Sequence, residues 1–404
     1  MKTSEQFDLA SSAFKANPYP TFARLRASEP VYLLASSNGQ NTWLVTRYSD
    51  AELILRDERF VKDRQHLTSR GQAHNAVAPA SAADLMSMSM VDFDPPDHTR
   101  LRQLFAPFFA PRQMELLRTH IQEVADELLD AVVERGSMDL IDEFAWVLPL
   151  RIIAGILGVP AEDCPRLHAW TRLLADSIGD PVAFSRAGAA LQDFYAYLQE
   201  LLLHKRQAPA GDLISELLQV ERESGHISER ELVTMIFLLL TAGHDTADNL
   251  IGSGMFALLT HPQQMALLRS QPQFIKTAVE EFLRYRSPFL LTTMRWAGED
   301  LEIAGQQIRR GDALFISLAA ANRDEEIFAS AETLDITRQE NAHLAFGKGI
   351  HYCLGAPLAR LEGQIAIGTI LRRLPNLRLQ CEPEALVWRP GWLVQGLSHL
   401  PVIF

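Results

Sequence analysis

The stretch Asn341-Ala-His-Leu-Ala-Phe346-Gly-Lys-Gly-Ile-His351-Tyr-Cys353-Leu-Gly355 places a cysteine just before a helix. Pro357 can open that helix, and Leu358, Leu361 and Ile365 mark its apolar side. A thiolate at this point faces unpaired N–H groups and the positive end of the helix dipole, which lowers its pKa and suits it to be a metal ligand or a nucleophile. Gly347, Gly349 and Gly355 permit a tight loop with backbone amides turned towards the sulfur. An ordinary buried thiol fits the same residues, and His351 is the nearest candidate base for a nucleophilic cysteine. Zinc is disfavoured, because neither Cys164 nor Cys381 stands at a tight ligand spacing from Cys353.

Three other segments combine reactive types. In Thr241-Ala242-Gly243-His244-Asp245-Thr246, small residues and polar groups interrupt an apolar run. The reading that does chemistry is a pocket wall: Ala242 and Gly243 let a planar or diatomic ligand approach, Thr246 offers a hydroxyl, and Asp245 a carboxylate for moving protons. A satisfied buried network or a helix kink explains the same six residues. Glu281 and Arg284, three apart, share one helix face, which a generic surface ion pair explains, although Val279, Phe282 and Leu283 around them favour burial. After Phe93-Asp-Pro-Pro, His98 and Arg102 lie four apart on one face, either as a clamp for an anionic group or as a solvated basic face.

These groups need a scaffold, and the apolar spacing supplies it. A helix starts at Ser228, where Ser228 and Glu231 form a capping box, and runs to the residues before Pro262, about 50 Å. Further helices are expected over Met114–Val133, Val147–Leu157, Ala189–Leu202 and Leu213–Val220. Pro30–Arg47 reads as a hairpin turning at Asn38-Gly39, and strand-like pieces recur at Leu301–Ile308, Ala313–Ile316 and from Leu386. Gln65–Ala83 reads as a surface loop or lid. The fold class is mainly α with small β-sheets. No linker or internal repeat divides the chain, so residues 1–404 are expected to form a single domain, β-rich mainly at 25–65, 286–318 and 386–404.

Composition excludes several classes. The chain has 404 residues, 47% of them hydrophobic, which rules out disorder as a description of the whole. Its net charge of −12 argues against a protein organised around nucleic acid. Three cysteines are too few for a disulfide scaffold and point to a reducing cytoplasm. No leader is expected in the first residues, and no stretch is long and apolar enough to span a bilayer, so no membrane association is expected.

Taken together, these residues resemble a soluble bacterial cytochrome P450 over essentially the whole chain. Phe346-x-x-Gly349-x-x-x-Cys353-x-Gly355 is similar to that family's haem-thiolate loop, Ala242-Gly-x-Asp245-Thr246 to its oxygen-activation motif, and Glu281-x-x-Arg284 to its structural ion pair. Ala321-Asn-Arg-Asp324, Phe328 and Asp335-Ile-Thr-Arg338 resemble the approach to its meander. Ala247 departs from the pattern, where many relatives carry a second Thr or Ser.

The resemblance implies a long central helix crossing haem b (iron protoporphyrin IX), with Cys353 as axial ligand and Phe346 and Gly355 beside it. It implies propionate contacts from His98, Arg102, Arg295 and His351, and a proton relay through Asp245 and Thr246. Glu281, Arg284 and Arg338 become structural. The expected substrate pocket is Met88, Met90, Val91, Leu239, Ala242, Phe289, Leu290, Leu291, Trp392 and Leu393, mostly apolar. The implied activity is insertion of one oxygen atom from O2 into a hydrophobic small molecule such as a macrolide, terpenoid, steroid or fatty acid, nearest to the group oxidising macrolides and other secondary metabolites. Alternatives are a peroxide-driven haem-thiolate hydroxylase, expected to lack the Asp-Thr pair, and a haem-based gas sensor, expected to carry an output domain. With no length for a fused reductase, electrons are expected from a ferredoxin or flavodoxin served by an NAD(P)H-dependent reductase. Lys348 and Arg360 are candidates to dock that partner, residues 171–188 are a candidate lid, and a monomer is expected.

Overall fold

A computed structural model describes residues 9, 11–37, 39–67, 85, 87–178 and 180–404. The helices that position the site are α1 (Tyr19–Ser28), α2 (Asp97–Phe105), α3 (Val147–Leu157), α4 (Cys164–Ser177), α5 (Glu229–Thr260), α6 (Ile275–Tyr285) and α7 (Ala356–Arg373).

The capping box starts α5 as expected: the Glu231 N–H donates to Ser228 Oγ at 3.3 Å and the Ser228 N–H donates to Glu231 Oε2 at 2.8 Å. The polar stretch does not break the helix, because its side chains bond to the preceding turn. Thr241 Oγ1 donates to Phe237 O at 2.9 Å, Thr246 Oγ1 to Ala242 O at 3.1 Å, and Asn249 Nδ2 to Asp245 O at 2.5 Å. The hydroxyls of Thr241 and Thr246 and the Asn249 amide are thereby carried in a largely buried helix with hydrogen-bond partners.

The region expected as one helix over Met114–Val133 is two, Pro111–Leu116 and Arg118–Val133, while the later pair extend to Gly188–Gln207 and Leu213–Ser224. The hairpin is β1 (Val31–Ser37) against β2 (Gln40–Val45), with Val31 opposite Val45 and Gly39 in the turn at φ 78°. Asn38 lies outside the described residues, as do residues 68–83 of the expected loop. With β3 (Phe60–Val61), β4 (Arg295–Ala297) and β5 (Ala313–Ile316) the hairpin forms a sheet of order β1-β2-β5-β4-β3, in which β2 and β5 are parallel. Leu301–Ile303 and Gln306–Ile308 pair as a separate ribbon. The tail is less regular than expected from Leu386. Pro390, Gly391 and Gly396 limit it to bridges at Phe289–Val394 and Trp388–Leu397 before Pro401–Ile403 pairs with Ser137–Asp139 and Arg378–Leu379.

One apolar core surrounds α5, a second lies under the sheet and a third between α1 and the sheet. The Glu281–Arg284 pair locks α6 to the loops that follow. Both side chains are fully buried, and Arg284 Nε and Nη2 donate to the Glu281 carboxylate at 2.8 Å each. Its remaining donors meet Asn322 O, Ala331 O and Thr333 O, so no guanidinium N–H is wasted. Arg338 Nε adds a bond to Glu281 Oε2 at 3.1 Å. None of the described helices is long and apolar enough to cross a membrane.

Candidate active site

The cysteine loop is shaped by glycine. Gly349 sits at φ 72°, and a Cβ there would lie 2.4 Å from Leu55 O, so a side chain would be both strained and blocked. The Cys353 N–H donates to Phe346 O at 2.9 Å and closes the loop ahead of α7. Burial pushes the Cys353 thiol up, while the backbone N–H groups of Gly355 and Ala356 and the charges of Arg102 and Arg360 pull it down. That environment stabilises a thiolate once a cation replaces the thiol proton.

Cys353, Phe346 and Gly355 line a cavity whose wall also carries Leu239, Ala242, Asp245 and Thr246 of α5. The backbone comes close here for a reason the sequence did not disclose. A Cβ at Gly243 would sit 2.9 Å from Ile153 Cγ1, so the small size of Gly243 admits α3, while Ala242 and Gly243 both line the cavity.

His98, Arg102, Arg295 and His351 converge on the same cavity, joined by Lys62, which motif reading missed. Both ring nitrogens of His98, Nε2 of His351 and Nε of Arg295 are buried with no partner. The two imidazoles lie 4.3 Å apart between centroids. Burial first, then Arg295 and the other basic groups, drives His351 down to about 2. Burial and then Arg102 lower His98, burial and then Arg295 lower Lys62 to about 7, and burial lowers Arg295 to about 10. Basic groups crowded together with idle donors form a site for anions, because an opposing carboxylate satisfies the donors and reverses these shifts. Arg102 also donates to Tyr352 O at 2.7 Å, tying α2 to the cysteine loop.

Asp245 is not a free acid. Its Oδ1 accepts from Arg389 Nη1 at 2.5 Å, and Arg389 Nε donates to Asp176 Oδ1 at 2.9 Å, so one buried guanidinium joins α5 to α4. Burial raises the Asp245 carboxyl, but Arg389 and His244 together outweigh it and hold the group below the usual range. Three residues on, Asp248 is pushed up to about 8 by burial, against the pull of Arg389, and its Oδ1 has no partner. Trp388-Arg389-Pro390, a charged residue in a mostly apolar tail, was the available signal for this hub.

Of the expected pocket residues, Met90, Val91, Leu239, Ala242, Phe289 and Leu393 line the cavity. Met88, Leu290, Leu291 and Trp392 do not. Met88 packs against the large core, with its carbonyl accepting from Thr234 Oγ1 at 2.8 Å. Leu290 and Leu291 are buried in the core between α1 and the sheet, where Trp392 packs edge-on against Phe315. Apolar burial against α1 claims these side chains, and Leu174 and Ile178 at the end of α4 join the cavity wall. Lys348 and Arg360 are already paired: Lys348 Nζ meets Glu52 Oε1 at 2.6 Å, and Arg360 makes a two-point bond to Glu280 at 2.7 and 2.8 Å. The residues present therefore fit a flat, dianionic metal macrocycle: a cysteine with two amide donors on one face, small α5 residues across it, and five basic side chains at its edge.

The model of the family described as Cytochrome P450 matches residues 183–384. The chain is 44% identical over 400 residues to the vitamin D(3) 25-hydroxylase of Pseudonocardia autotrophica, covering 99% of this chain and 96% of that one. It is 40% identical over 393 residues to the polyketide biosynthesis cytochrome P450 PksS of Bacillus subtilis (strain 168), covering 96% of each. Its structure matches that of the myxobacterial cytochrome P450 CYP267B1 in complex with myristic acid, with a TM-score of 0.90, 40% identity and 98% coverage of both chains.

Proposed function

Because this chain belongs to the cytochrome P450 family, we propose that Cys353 is the axial ligand of its haem b and that His98, Arg102, Arg295, His351 and Lys62 hold the propionates. The protein is a haem-thiolate monooxygenase acting on hydrophobic small molecules. When bound, the haem supplies activation of O2 and oxidation of a substrate C–H bond with insertion of one oxygen atom. The observation that carries the assignment is the convergence, in one cavity, of a cysteine facing amide donors, idle buried basic groups and the Thr246 hydroxyl.

The chain's own residues divide the remaining work. Thr246 keeps its proton donor bonded to Ala242 O while its oxygen lone pairs stay open to accept and pass a proton at the cavity. Asp245, held ionised by Arg389, is the carboxylate on the same cavity wall that takes up protons and relays them with water. The hub of Arg389, Asp176 and Asp245 fixes the end of α4 against α5, which makes Leu174 and Ile178 part of the substrate wall. Met90, Val91, Phe289 and Leu393 offer an apolar surface that orients substrate by shape and excludes water. This supports an extended hydrophobic substrate, such as a long-chain fatty acid, a steroid or a polyketide-derived ring.

Electrons arrive from a separate ferredoxin or flavodoxin reduced by an NAD(P)H-dependent reductase. Reconstitution with such a pair and a panel of fatty acids, steroids and macrolides tests the reading. Hydroxylated product dependent on NAD(P)H and on the carrier is expected. Turnover driven by hydrogen peroxide and indifferent to the carrier would favour the peroxide-driven alternative.

A further inference from the structure

A second pocket, of about 720 Å³, opens beyond the C-terminal half of α5, and none of the described residues lines both it and the Cys353 cavity. Its walls come from α1, the end of α6 and the tail. Tyr19, Phe256, Tyr285 and Trp388 give it aromatic faces, and Arg286 and Arg323 give it two guanidinium groups.

The arginines of this region differ in how their donors are used. Arg284 is saturated by a carboxylate and three carbonyls. Arg323 is held between Tyr19 and Tyr285, with ring centroids 3.7 and 3.8 Å away, and donates to Tyr285 O and the Glu332 carboxylate. Among the described residues, no acceptor meets the Arg286 side chain. Its guanidinium carbon stands 5.6, 5.2 and 5.3 Å from the ring centroids of Tyr19, Phe256 and Trp388, and its Nε and Nη1 are buried without partners. Nη2 is neither among the buried nitrogens nor bonded to protein, so it is the end of the cation that meets the pocket.

An aromatic cage compensates part of the cost of desolvating a guanidinium, and its strongest remaining partner is an anionic acceptor. The cage walls suit a flat ring. At the mouth, Glu325 and Glu384 are exposed while Glu332 is taken by Arg323, so the rim is acidic and the interior basic. Such a gradient accepts one negative charge placed deep and repels a second placed at the rim. We propose that this pocket binds a small aromatic monocarboxylate, its ring stacked on the aromatic walls and its carboxylate on Arg286.

The test uses the holoenzyme with imidazole present to occupy the haem iron, and 2-naphthoate as the probe. Binding is read by saturation-transfer NMR and tryptophan emission. The parent should bind 2-naphthoate about tenfold or more tightly than neutral 2-naphthamide, the difference expected for one charge-assisted hydrogen bond. Binding of 2,6-naphthalenedicarboxylate should be weaker than that of the monoacid. Arg286→Gln should lose the preference for the acid over the amide. Ala23→Trp, which narrows the pocket from α1 without touching a buried charge, should abolish binding of both and keeps the test decisive if Arg286→Gln does not fold. Equal binding of acid and amide by the parent, or unchanged binding in both variants, would overturn the proposal.

Discussion

Removing the Arg389 side chain while keeping its volume apolar, as in Arg389→Met, takes the only cation bonded to Asp245 among the described residues, and one bonded to Asp176, out of a site where Arg389 is 1% exposed. Breaking a buried pair from one side costs about 3–5 kcal/mol. A second route gives the same size. The stranded Asp245 can instead take up a proton, and neutralising a carboxyl of ordinary pKa 3.8 costs about 4 kcal/mol at pH 7 but only about 2 kcal/mol at pH 5. The sign follows from linkage. In the parent, Asp245 is held below its unfolded pKa, so its contribution is present above that value and lost only as pH falls through the folded one. In the variant, burial is left unopposed and the folded pKa rises above the unfolded one, so stability is lost as pH rises. Between pH 5 and 8 the parent's contribution is constant, so the deficit grows with pH through the variant alone, by up to about 1.4 kcal/mol per unit for each proton until the raised pKa is passed. Urea unfolding of the two holoproteins, followed by far-ultraviolet circular dichroism at pH 5, 6, 7 and 8, reads the difference in midpoint. A gap that widens steadily with pH is expected; a gap of constant size, or none, would refute the charged hub.

Other consequences are equally specific. Glu362 of α7 is buried, neither of its carboxylate oxygens has a partner, and burial alone raises its pKa well above the ordinary value. Glu362→Gln should therefore fold and gain stability relative to the parent as pH rises from 5 to 8, by at most about 1.4 kcal/mol per unit; parallel pH profiles would show the acid to be ionised. Arg284→Met takes the two-point partner from Glu281 in a fully buried site and leaves it only the single bond from Arg338 as a charge partner among the described residues, so a loss of about 3–5 kcal/mol should appear as little or no haem-containing protein at 37 °C; normal holoprotein yield would contradict it. Lys62→Gln retains a donor towards Thr293 Oγ1 and Met294 O but loses the charge, so haem transfer to apomyoglobin should quicken about tenfold, and an unchanged rate would remove Lys62 from the propionate set.

The sequence was most legible where chemistry and local structure coincide. The capping box, the Glu281–Arg284 spacing and the cysteine before Pro357 each depend on neighbours a few residues away, and the local geometry follows from them. Partners far apart in the chain were hidden. Arg389 meets Asp245 across 144 positions and Lys62 meets Met294 across 232, and no periodicity encodes such pairs. Gly243 illustrates a different limit. Its small size was legible but its beneficiary, the Ile153 side chain of α3, was not. Six of the ten expected pocket residues line the cavity, yet Leu290, Leu291 and Trp392 lie in the core beside α1, because apolar side chains carry no sign of which apolar surface they join.

The central claim is that Cys353 binds the iron as a thiolate, and the absorption of the dithionite-reduced, carbon monoxide-bound holoprotein tests it most directly. The parent is expected to show the long-wavelength Soret band of a thiolate-ligated haem, lost in Cys353→Ser while the fold persists by circular dichroism. A band at the shorter wavelength of thiol or imidazole ligation in freshly folded parent, or a long-wavelength band that survives Cys353→Ser, would contradict it.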